Sequence, residues 1–258
     1  MTKDRLNETV LQKRLKQHGC NIKTLVLEEC SSTNTLARQM AVDAPDCSAL
    51  IVAHRQTAGR GRLGRSFHSP AETGVYFSIL RPQKGPLSDA LSVTCAASVA
   101  VMRAIFEATG IQTQIKWVND LLLNEKKVCG ILTEAVTVGE NTTLIVGIGV
   151  NLRPMEFPSE LSQIAGSLEQ STLPRANFIA SITAKLLPYL DDPSDKSWLE
   201  DYRRHSCIFG KTLLRIENGI SRECVAQEID ERGRLLLRHP NGETELLQSG
   251  EISIRISQ

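Results

Sequence analysis

The chain is organised around one segment, Gln56-Thr57-Ala58-Gly59-Arg60-Gly61-Arg62-Leu63-Gly64-Arg65-Ser66-Phe67-His68-Ser69-Pro70. We call residues 56–70 the arginine loop. It contains three glycines and three arginines and no acidic residue. Glycine permits positive φ and a close approach to a ligand, and guanidinium groups match the oxygens of carboxylates and phosphates. The segment therefore predicts a loop that binds an anion.

Two apolar runs, residues 49–53 and 75–80, flank the arginine loop and have the length and residue types of strands. The loop satisfies G-x-G-x-x-G, but a dinucleotide site needs a helix to begin inside the motif, and here a strand follows. A kinase would need H-R-D and D-F-G motifs, which the sequence lacks. RNA-binding Arg-Gly segments are usually repeated, whereas this one occurs once. An anion-binding loop between strands is favoured.

Composition limits the partners of this chain of 258 residues. Its 30 basic and 29 acidic residues give a net charge of +1, so no global field attracts nucleic acid or an anionic membrane. Seven cysteines, an odd number without a C-x-x-C pair, predict reduced thiols in a cytoplasmic protein. We expect no signal peptide, no apolar run of membrane-spanning length and no zinc site among the histidines.

The order of elements predicts an α+β fold with a mixed or antiparallel sheet, because short turns join several neighbouring strands. Apolar periodicity and breakers predict helices at 8–18, 86–109, 176–190 and 198–205, and strands at 23–29, 49–53, 75–80, 112–117, 121–124, 128–138 and 142–150. From Cys207 onward, short β runs with Asn-Gly turns predict a small five-stranded barrel. We place the domain boundary after residue 206, giving domains 1–206 and 207–258.

Further polar groups lie where apolar segments end. Ser32, Thr33 and Asn34 precede a helix, where they suit both an N-cap and a ligand contact. Residues 116–120, Lys-Trp-Val-Asn-Asp, have ordinary turn chemistry when taken singly, and Lys127 begins a strand. Their common position beside strands of one sheet suits nucleotide phosphates, a divalent ion and an acyl group.

At these residues the sequence resembles the biotin protein ligases, which activate biotin with ATP and transfer it to a lysine of a carrier. The matching motifs, in chain order, are Ser32-Thr33-Asn34, residues 56–65, Lys116-Trp117-x-Asn119-Asp120, Lys127-x-x-Gly130-Ile131-Leu132, Gly147-x-Gly149-x-Asn151 and Gly250-Glu251-Ile252-Ser253. They cover nearly the whole chain. Two positions depart from the usual pattern: Val118 replaces proline, and Phe67 replaces tryptophan while keeping an aromatic face.

The resemblance implies a fold and a set of roles. The fold is a catalytic domain like class II aminoacyl-tRNA synthetases, at residues 1–206, followed by an SH3-like β-barrel at residues 207–258. The implied catalytic residues are Lys127, Arg62 and Arg60. The implied biotin-binding residues are Ser32, Thr33, Asn34, Gln56, Gly59, Arg60, Gly61, Arg62, Lys127 and Gly130. The implied ATP-binding residues are Arg62, Arg65, Phe67, Lys116, Asn119, Asp120 and Asn151, with Asp120 as the Mg²⁺ ligand.

The resemblance also implies partners. The small molecules are biotin and MgATP, and the protein partner is a biotin carboxyl carrier domain of a carboxylase. About twenty residues precede the first predicted strand, too few for a winged helix-turn-helix, so no DNA binding is expected. Pairing into a homodimer through an exposed sheet edge stays open. Two alternatives also stay open: a lipoate or octanoate ligase on the same scaffold, and a biotin-binding regulator without catalysis.

Overall fold

A seven-stranded sheet positions the functional groups in the computed structural model, which describes residues 6–83, 90–217, 219–248 and 251–254. The predicted helix start at 86–89, Asn218 of one predicted turn and Gly250 of the last motif lie outside the described residues. The elements before the small sheet are α1 Glu8–Gln17, β1 Lys23–Cys30, α2 Thr33–Asp43, β2 Ala49–Gln56, β3 Gly74–Gln83, α3 Ala90–Thr109, β4 Gln114–Lys116, β5 Asp120–Leu123, β6 Lys126–Val138, β7 Asn141–Asn151, α4 Arg175–Asp191 and α5 Leu199–His205.

The large sheet is mixed, as the sequence predicts. Its strand order is β1-β2-β3-β7-β6-β5-β4. Only β1 and β2 pair in parallel, and α2 crosses between them. The remaining neighbours are antiparallel. The β6–β7 hairpin turns at Gly139, whose φ of 60° suits glycine. This topology confirms the α+β class and excludes a doubly wound parallel sheet.

Both faces of the large sheet are covered. Alternate residues of β2 point to opposite sides, as expected for a strand. Leu50 and Val52 join the main core with α1, α3 and α4, whereas Ala49 and Ile51 join a smaller core under α2. Helix α2 therefore has its own packing surface on the sheet, which fixes its N-terminal residues beside β6 and β7.

Helix α3 corrects one expectation from sequence. Its 20 residues, Ala90–Thr109, are long and apolar enough to cross a membrane by length and composition, whereas we expected no such run. In the fold, 72% of its most apolar window is buried, and α3 contacts α4 and β6. The apolar composition is that of a core helix enclosed by protein on most sides.

The C-terminal residues form a second, antiparallel sheet of β8 Thr212–Glu217, β9 Ile220–Ile229, β10 Leu235–Arg238, β11 Thr244–Leu247 and β12 Glu251–Ile254, in the order β11-β10-β9-β8-β12. The predicted number of strands is confirmed. Trp117 Nε1 donates to Gly233 O at 2.9 Å, and Leu213 and Leu235 belong to the main core. The hydrophobic interior is therefore continuous between the two sheets.

Candidate active site

The arginine loop is a tight hairpin between β2 and β3. Gly61 N donates to Arg65 O at 2.7 Å, and Phe67 N donates to Gly59 O at 2.8 Å. A Cβ on Gly59 would lie 2.4 Å from Phe67 O, so the two arms can approach this closely only with glycine there. Only a three-residue 3₁₀ turn, Arg62–Gly64, occurs within the loop. This geometry confirms that the G-x-G-x-x-G match is not a dinucleotide-binding turn.

The arginine loop borders a pocket whose empty space, counted together with the open solvent at its mouth, is about 410 Å³. The pocket lies between the N-terminus of α2, the loop, and strands β6 and β7. Its lining residues are Ser32, Thr33, Asn34, Gln56, Arg60, Gly61, Phe67, Asn119, Lys127, Gly130, Ile131, Leu132, Gly147, Ile148 and Gly149.

Three glycines of β6 and β7 form the floor of the pocket. A Cβ on Gly149 would lie 2.4 Å from Phe67 Cε1, and one on Gly130 would lie 3.0 Å from Phe67 Cε2. A Cβ on Gly147 would lie 2.0 Å from Asn34 Oδ1. The bare backbone at these positions thus lets the Phe67 ring and the Asn34 amide lie directly on the sheet. The Phe67 face also meets Lys127, whose Nζ is 6.0 Å from the ring centroid.

A cluster of neutral hydrogen-bonding groups forms one part of the pocket wall. Thr33 N donates to Gln56 Oε1 at 2.8 Å, and Gln56 Nε2 donates to Ser69 Oγ at 2.9 Å. Ser78 Oγ lies 2.7 Å from Thr33 Oγ1. Ser32 occupies the N-cap position of α2, as predicted, but its side chain makes no capping hydrogen bond. Its hydroxyl therefore stays available to the pocket that it lines.

Asn34 lines the same pocket, yet the protein already engages both ends of its amide. Nδ2 donates to Glu134 Oε2 at 2.9 Å and to Leu132 O at 3.2 Å. Oδ1 accepts from Ser78 Oγ at 2.6 Å. Because this hydroxyl has one proton and Oδ1 can only accept, Ser78 donates to Asn34. The contacts of Asn34 support a role in positioning neighbouring groups.

Lys127 and Asp120 form an ion pair at the edge of the pocket. Their Nζ and Oδ1 atoms are 2.6 Å apart. Lys127 is 34% exposed and Asp120 is 24% exposed. Two residues after Lys127 on β6, burial raises the pKa of the Cys129 thiol, while Lys127 opposes that rise and Asp120 adds to it. Cys129 is therefore a neutral, buried group.

The arginines of the loop point in different directions. Arg60 contacts Glu134 on β6, with Nη2 at 3.1 Å from Oε1. Arg62 extends inward and donates from Nη1 to Asn119 Oδ1 at 3.2 Å. Burial lowers the pKa of Arg62, while the negative charge of Asp120 opposes that shift. Arg60 is therefore attached to the interior of β6, and Arg62 to the residue that precedes β5.

Most of the residues predicted for the site line the pocket, and six do not. Gly59 lies in the hairpin against Phe67 and Ser69, Arg62 and Asp120 contact lining residues, and Lys116 is opposite Asp120 in the register of β4 and β5. Arg65 is exposed. Asn151 is buried and donates from Nδ2 to Gly166 O at 2.9 Å. The Trp117–Val118 peptide, at the position where the resemblance leads us to expect proline, is cis.

The sequence interpretation missed three polar groups of this site, Ser69, Ser78 and Glu134. Ser78 lies within an apolar strand and Glu134 within an alternating one, so neither had a local signal. Ser78 and Glu134 both act through partners more than 40 residues away, Thr33 for Ser78 and Arg60 for Glu134. Gly147 and Gly149 were noticed only as a motif. Because the two glycines are two residues apart, they lie on the same face of β7. This spacing was the available signal for a flat floor of the pocket.

No group of three or more metal-binding side chains occurs within the residues that the structure describes. The carboxylates nearest the pocket are Asp120 and Glu134, and both are paired with cations. Mg²⁺ commonly keeps several waters and binds one or two carboxylates together with substrate phosphates. The side chains present thus fit a magnesium ion that arrives on a nucleotide, and they do not form an all-protein cage.

Comparisons with known proteins agree on the family. The pattern of the Biotin/lipoate A/B protein ligase family matches residues 26–151, and that of the Biotin protein ligase C terminal domain matches residues 212–255. The Bifunctional ligase/repressor BirA of Bacillus subtilis is 40% identical over 170 residues, which are 65% of this chain and 52% of that protein. The match thus spans about half the length of that relative.

Two further proteins align with most of this chain and over most of their own length. The biotin--[acetyl-CoA-carboxylase] ligase of Paracoccus denitrificans is 32% identical over 234 residues, covering 84% of this chain and 95% of that one. The structure of the biotin protein ligase of Aquifex aeolicus in complex with biotin and ATP superposes with a TM-score of 0.74 at 29% identity, covering 91% of this chain and 99% of that chain. The chain therefore belongs to the biotin/lipoate A/B protein ligase family, and within that family to the biotin protein ligases.

Proposed function

We propose that this protein joins biotin to AMP at the expense of ATP and then transfers biotin to a lysine of a biotin carboxyl carrier domain. One observation carries this proposal: Lys127, Arg60 and a neutral cluster of hydrogen-bonding groups line a single pocket. A cationic part suits the carboxylate of the acid and the α-phosphate of the nucleotide. A neutral polar part suits an uncharged ring with donors and acceptors.

The neutral cluster fits the ureido ring of biotin. A ureido group has two N–H donors and one carbonyl acceptor, and Ser32, Thr33 and Gln56 can both donate and accept. Gln56 is held by Thr33 and Ser69, so its amide is oriented before the ligand arrives. Groups held in advance lose less entropy when a ligand binds. The polar ring would therefore be recognised by a preformed set of partners.

In the first step, an oxygen of the biotin carboxylate attacks the α-phosphorus of ATP and pyrophosphate leaves. Both reactants are anions, so the protein must mainly neutralise charge and hold the two groups in line. Lys127 and Arg60 line the pocket, and Arg62 lies against Asn119 beside it. These cations would stabilise the charge that develops on the phosphate oxygens. The Phe67 ring would stack on the adenine base.

Magnesium would supply positive charge to the phosphates when it accompanies ATP. Asp120 would hold it, together with the phosphate oxygens, once Lys127 turned from Asp120 to the substrate. Lys116, Asn119 and Arg65 would contact the nucleotide from the same side. Asn151, buried beside the loop after β7, would support the ribose or adenine.

In the second step, the neutral amine of the carrier lysine attacks the mixed anhydride, and AMP leaves with the electron pair of the broken bond. Asp120 is a candidate acceptor of the amine proton because of its position beside Lys127. The arginine loop would cover the adenylate and keep water from it between the two steps.

Several finer assignments belong to the same proposal. The large sheet with its helices, residues 1–206, is inferred to be a domain like class II aminoacyl-tRNA synthetases. The five-stranded sheet at residues 207–258 is inferred to be an SH3-like barrel. The free state of the seven cysteines supports a cytoplasmic location. A homodimer through a sheet edge is a further expectation.

The family also contains ligases for lipoate, and the pocket argues against that substrate. An apolar dithiolane ring would leave the remaining hydrogen-bonding capacity of Ser32, Thr33 and Gln56 unused, at a cost of about 1–3 kcal/mol for each buried group left without a partner. A biotin-binding regulator without catalysis would use the same cations, Lys127 and Arg60, to bind the biotin carboxylate, so consumption of ATP is what distinguishes it from a ligase.

Mass spectrometry of a carrier domain incubated with the protein, biotin and MgATP tests the proposal. We expect the mass of the carrier to increase by one biotin, and lipoate in place of biotin to leave it unchanged. Modification by lipoate, or heat of biotin binding in calorimetry without any consumption of ATP, would favour one of the alternatives and contradict the proposal.

A further inference from the structure

Glu134 on β6 makes a two-pronged contact with the arginine loop. Arg60 Nη1 donates to Glu134 Oε2 at 3.2 Å, while Arg60 Nη2 lies 3.1 Å from Oε1. Each of the two terminal guanidinium nitrogens thus faces one carboxylate oxygen, a bidentate arrangement that adds geometric specificity to the ion pair. A lysine or a neutral acceptor could not reproduce it.

The same carboxylate also holds the start of helix α2. Glu134 Oε2 accepts from Asn34 Nδ2 at 2.9 Å, so one oxygen is shared between the loop and the helix. The Glu134 side chain is only 17% exposed, whereas that of Arg60 is 44% exposed. Glu134 is therefore the more buried partner of the pair, and Arg60 is the more exposed one.

Glu134 completes a ring of hydrogen bonds around the pocket. The ring leaves the arginine loop at Arg60 and returns to it at Gln56, and within the loop Ser69 Oγ donates to the Phe67 carbonyl at 3.0 Å. Its members in order are Arg60, Glu134, Asn34, Ser78, Thr33, Gln56, Ser69 and Phe67. The position of the loop and the orientation of the neutral cluster are thereby coupled.

We propose that Glu134 is a positioning residue that fastens the arginine loop over the pocket and, through Asn34, orients the groups that recognise the substrate. The proposal deepens the proposed function, because it assigns the residue that keeps the loop in place before and during adenylate formation. Glu134 itself does not line the pocket. It acts through Arg60 and Asn34, which do.

Digestion of the ligand-free protein with trypsin tests the fastening and requires no enzyme activity. The loop contains three cleavable arginines, and proteases cut segments that open. In Glu134→Gln, an amide still accepts from Asn34 but no longer pairs ionically with Arg60. We expect cleavage at Arg62 and Arg65 to accelerate about fivefold, the scale of a partly exposed ion pair. The matched control is Glu140→Gln at the exposed hairpin turn, which should match the wild type.

Release of the adenylate tests the consequence for function. Glu134→Gln should release biotinyl-AMP several-fold faster and raise the KM for biotin more than it lowers kcat, because the loop is loosened while Lys127 is untouched. Placing Glu134→Gln in an Arg60→Gln background should add no further acceleration of release, since the pair is already broken. Additive effects would contradict a shared contact.

Trypsin cleavage and adenylate formation test the role of Glu134 and the proposed function separately. Accelerated cleavage in a protein that never forms an adenylate would support the role of Glu134 and reject the proposed function. Wild-type cleavage of Glu134→Gln would overturn the role of Glu134, whatever the activity. If Glu134→Gln does not fold, Arg60→Gln breaks the same ion pair from its exposed side, and cleavage at Arg62 and Arg65 must then accelerate.

Discussion

Lys127 Nζ lies 2.6 Å from Asp120 Oδ1, so the cation that faces the pocket is already paired without a ligand. A bound carboxylate or phosphate must compete with Asp120 for this ammonium group. Since both side chains are partly exposed, solvent screens the ion pair, and Asp120 competes only weakly with a bound anion for the ammonium group. The pair thus holds Lys127 at the pocket edge while leaving it free to move to an anionic substrate.

Lys127→Ala should slow adenylate formation at least about a hundredfold, because one positive charge near the developing phosphate charge is lost. Pyrophosphate exchange with biotin and ATP measures this step alone. The control is Lys126→Ala, since Lys126 is exposed and its Nζ donates only to Ser162 O at 3.1 Å among the contacts described. Exchange at the wild-type rate in Lys127→Ala would refute its role.

Arg62→Ala should release the adenylate into solution faster than the wild type. Arg62 ties the arginine loop to Asn119 at 3.2 Å, so its loss removes one attachment of the cover over the pocket. Trapping of released biotinyl-AMP measures the rate. Arg55→Ala is a suitable control, because Arg55 is exposed on β2 and pairs with Glu29 outside the pocket. An unchanged release rate in Arg62→Ala would count against closure by the loop.

Ser78→Ala should lower the free energy of unfolding by about 1–3 kcal/mol, because it leaves Asn34 Oδ1 without its buried donor. It should also raise the KM for biotin, since Thr33 loses a neighbour at 2.7 Å. Urea denaturation and steady-state kinetics measure the two effects. Ser221→Ala on the exposed side of the small sheet serves as the control. Unchanged stability of Ser78→Ala would show that the Ser78–Asn34 hydrogen bond does not stabilise the fold.

Stability should fall as pH rises from about 10 to about 12, and Tyr76 should account for part of the fall. Burial raises the pKa of Tyr76 to about 12, against about 10 in an unfolded chain. In this window the unfolded state has lost the proton that the folded state keeps, so deprotonation favours unfolding.

Tyr76→Phe should therefore show a shallower loss of stability with pH, by up to about 1.4 kcal/mol per pH unit for one proton. Urea titrations at several values between pH 10 and 12 measure the slope. Equal slopes for the variant and the wild type would show that Tyr76 ionises normally in the folded protein.

The fold could be predicted from sequence where the signals are local. The β6–β7 hairpin follows from apolar strands that flank Gly139, and the five C-terminal strands follow from regularly spaced turns. Helix α3 shows the limit. Its composition does not distinguish a buried core helix from a membrane span, and only its packing against α4 and β6 decides the matter.

The candidate site could be predicted where residues lie in dense motifs, as Gln56, Arg60 and Lys127 do, and these line the pocket. Glu134 and Ser78 could not be predicted, because their importance comes from contacts across the sheet. Glu134 contacts Arg60 because the strand order β2-β3-β7-β6 in the large sheet brings β6 close to the arginine loop. No local pattern in the chain encodes that proximity.

The central claim is that the arginine loop folds over a carboxylic acid joined to AMP, with Lys127 facing it. A crystal structure of the protein with biotinyl-5′-AMP tests this claim most directly. We predict that Lys127 Nζ leaves Asp120 and lies within hydrogen-bond distance of the acyl-phosphate oxygens, with Arg60 and Arg62 covering the ligand. A structure in which the loop points away and Lys127 stays paired with Asp120, out of contact with the ligand, would contradict the account.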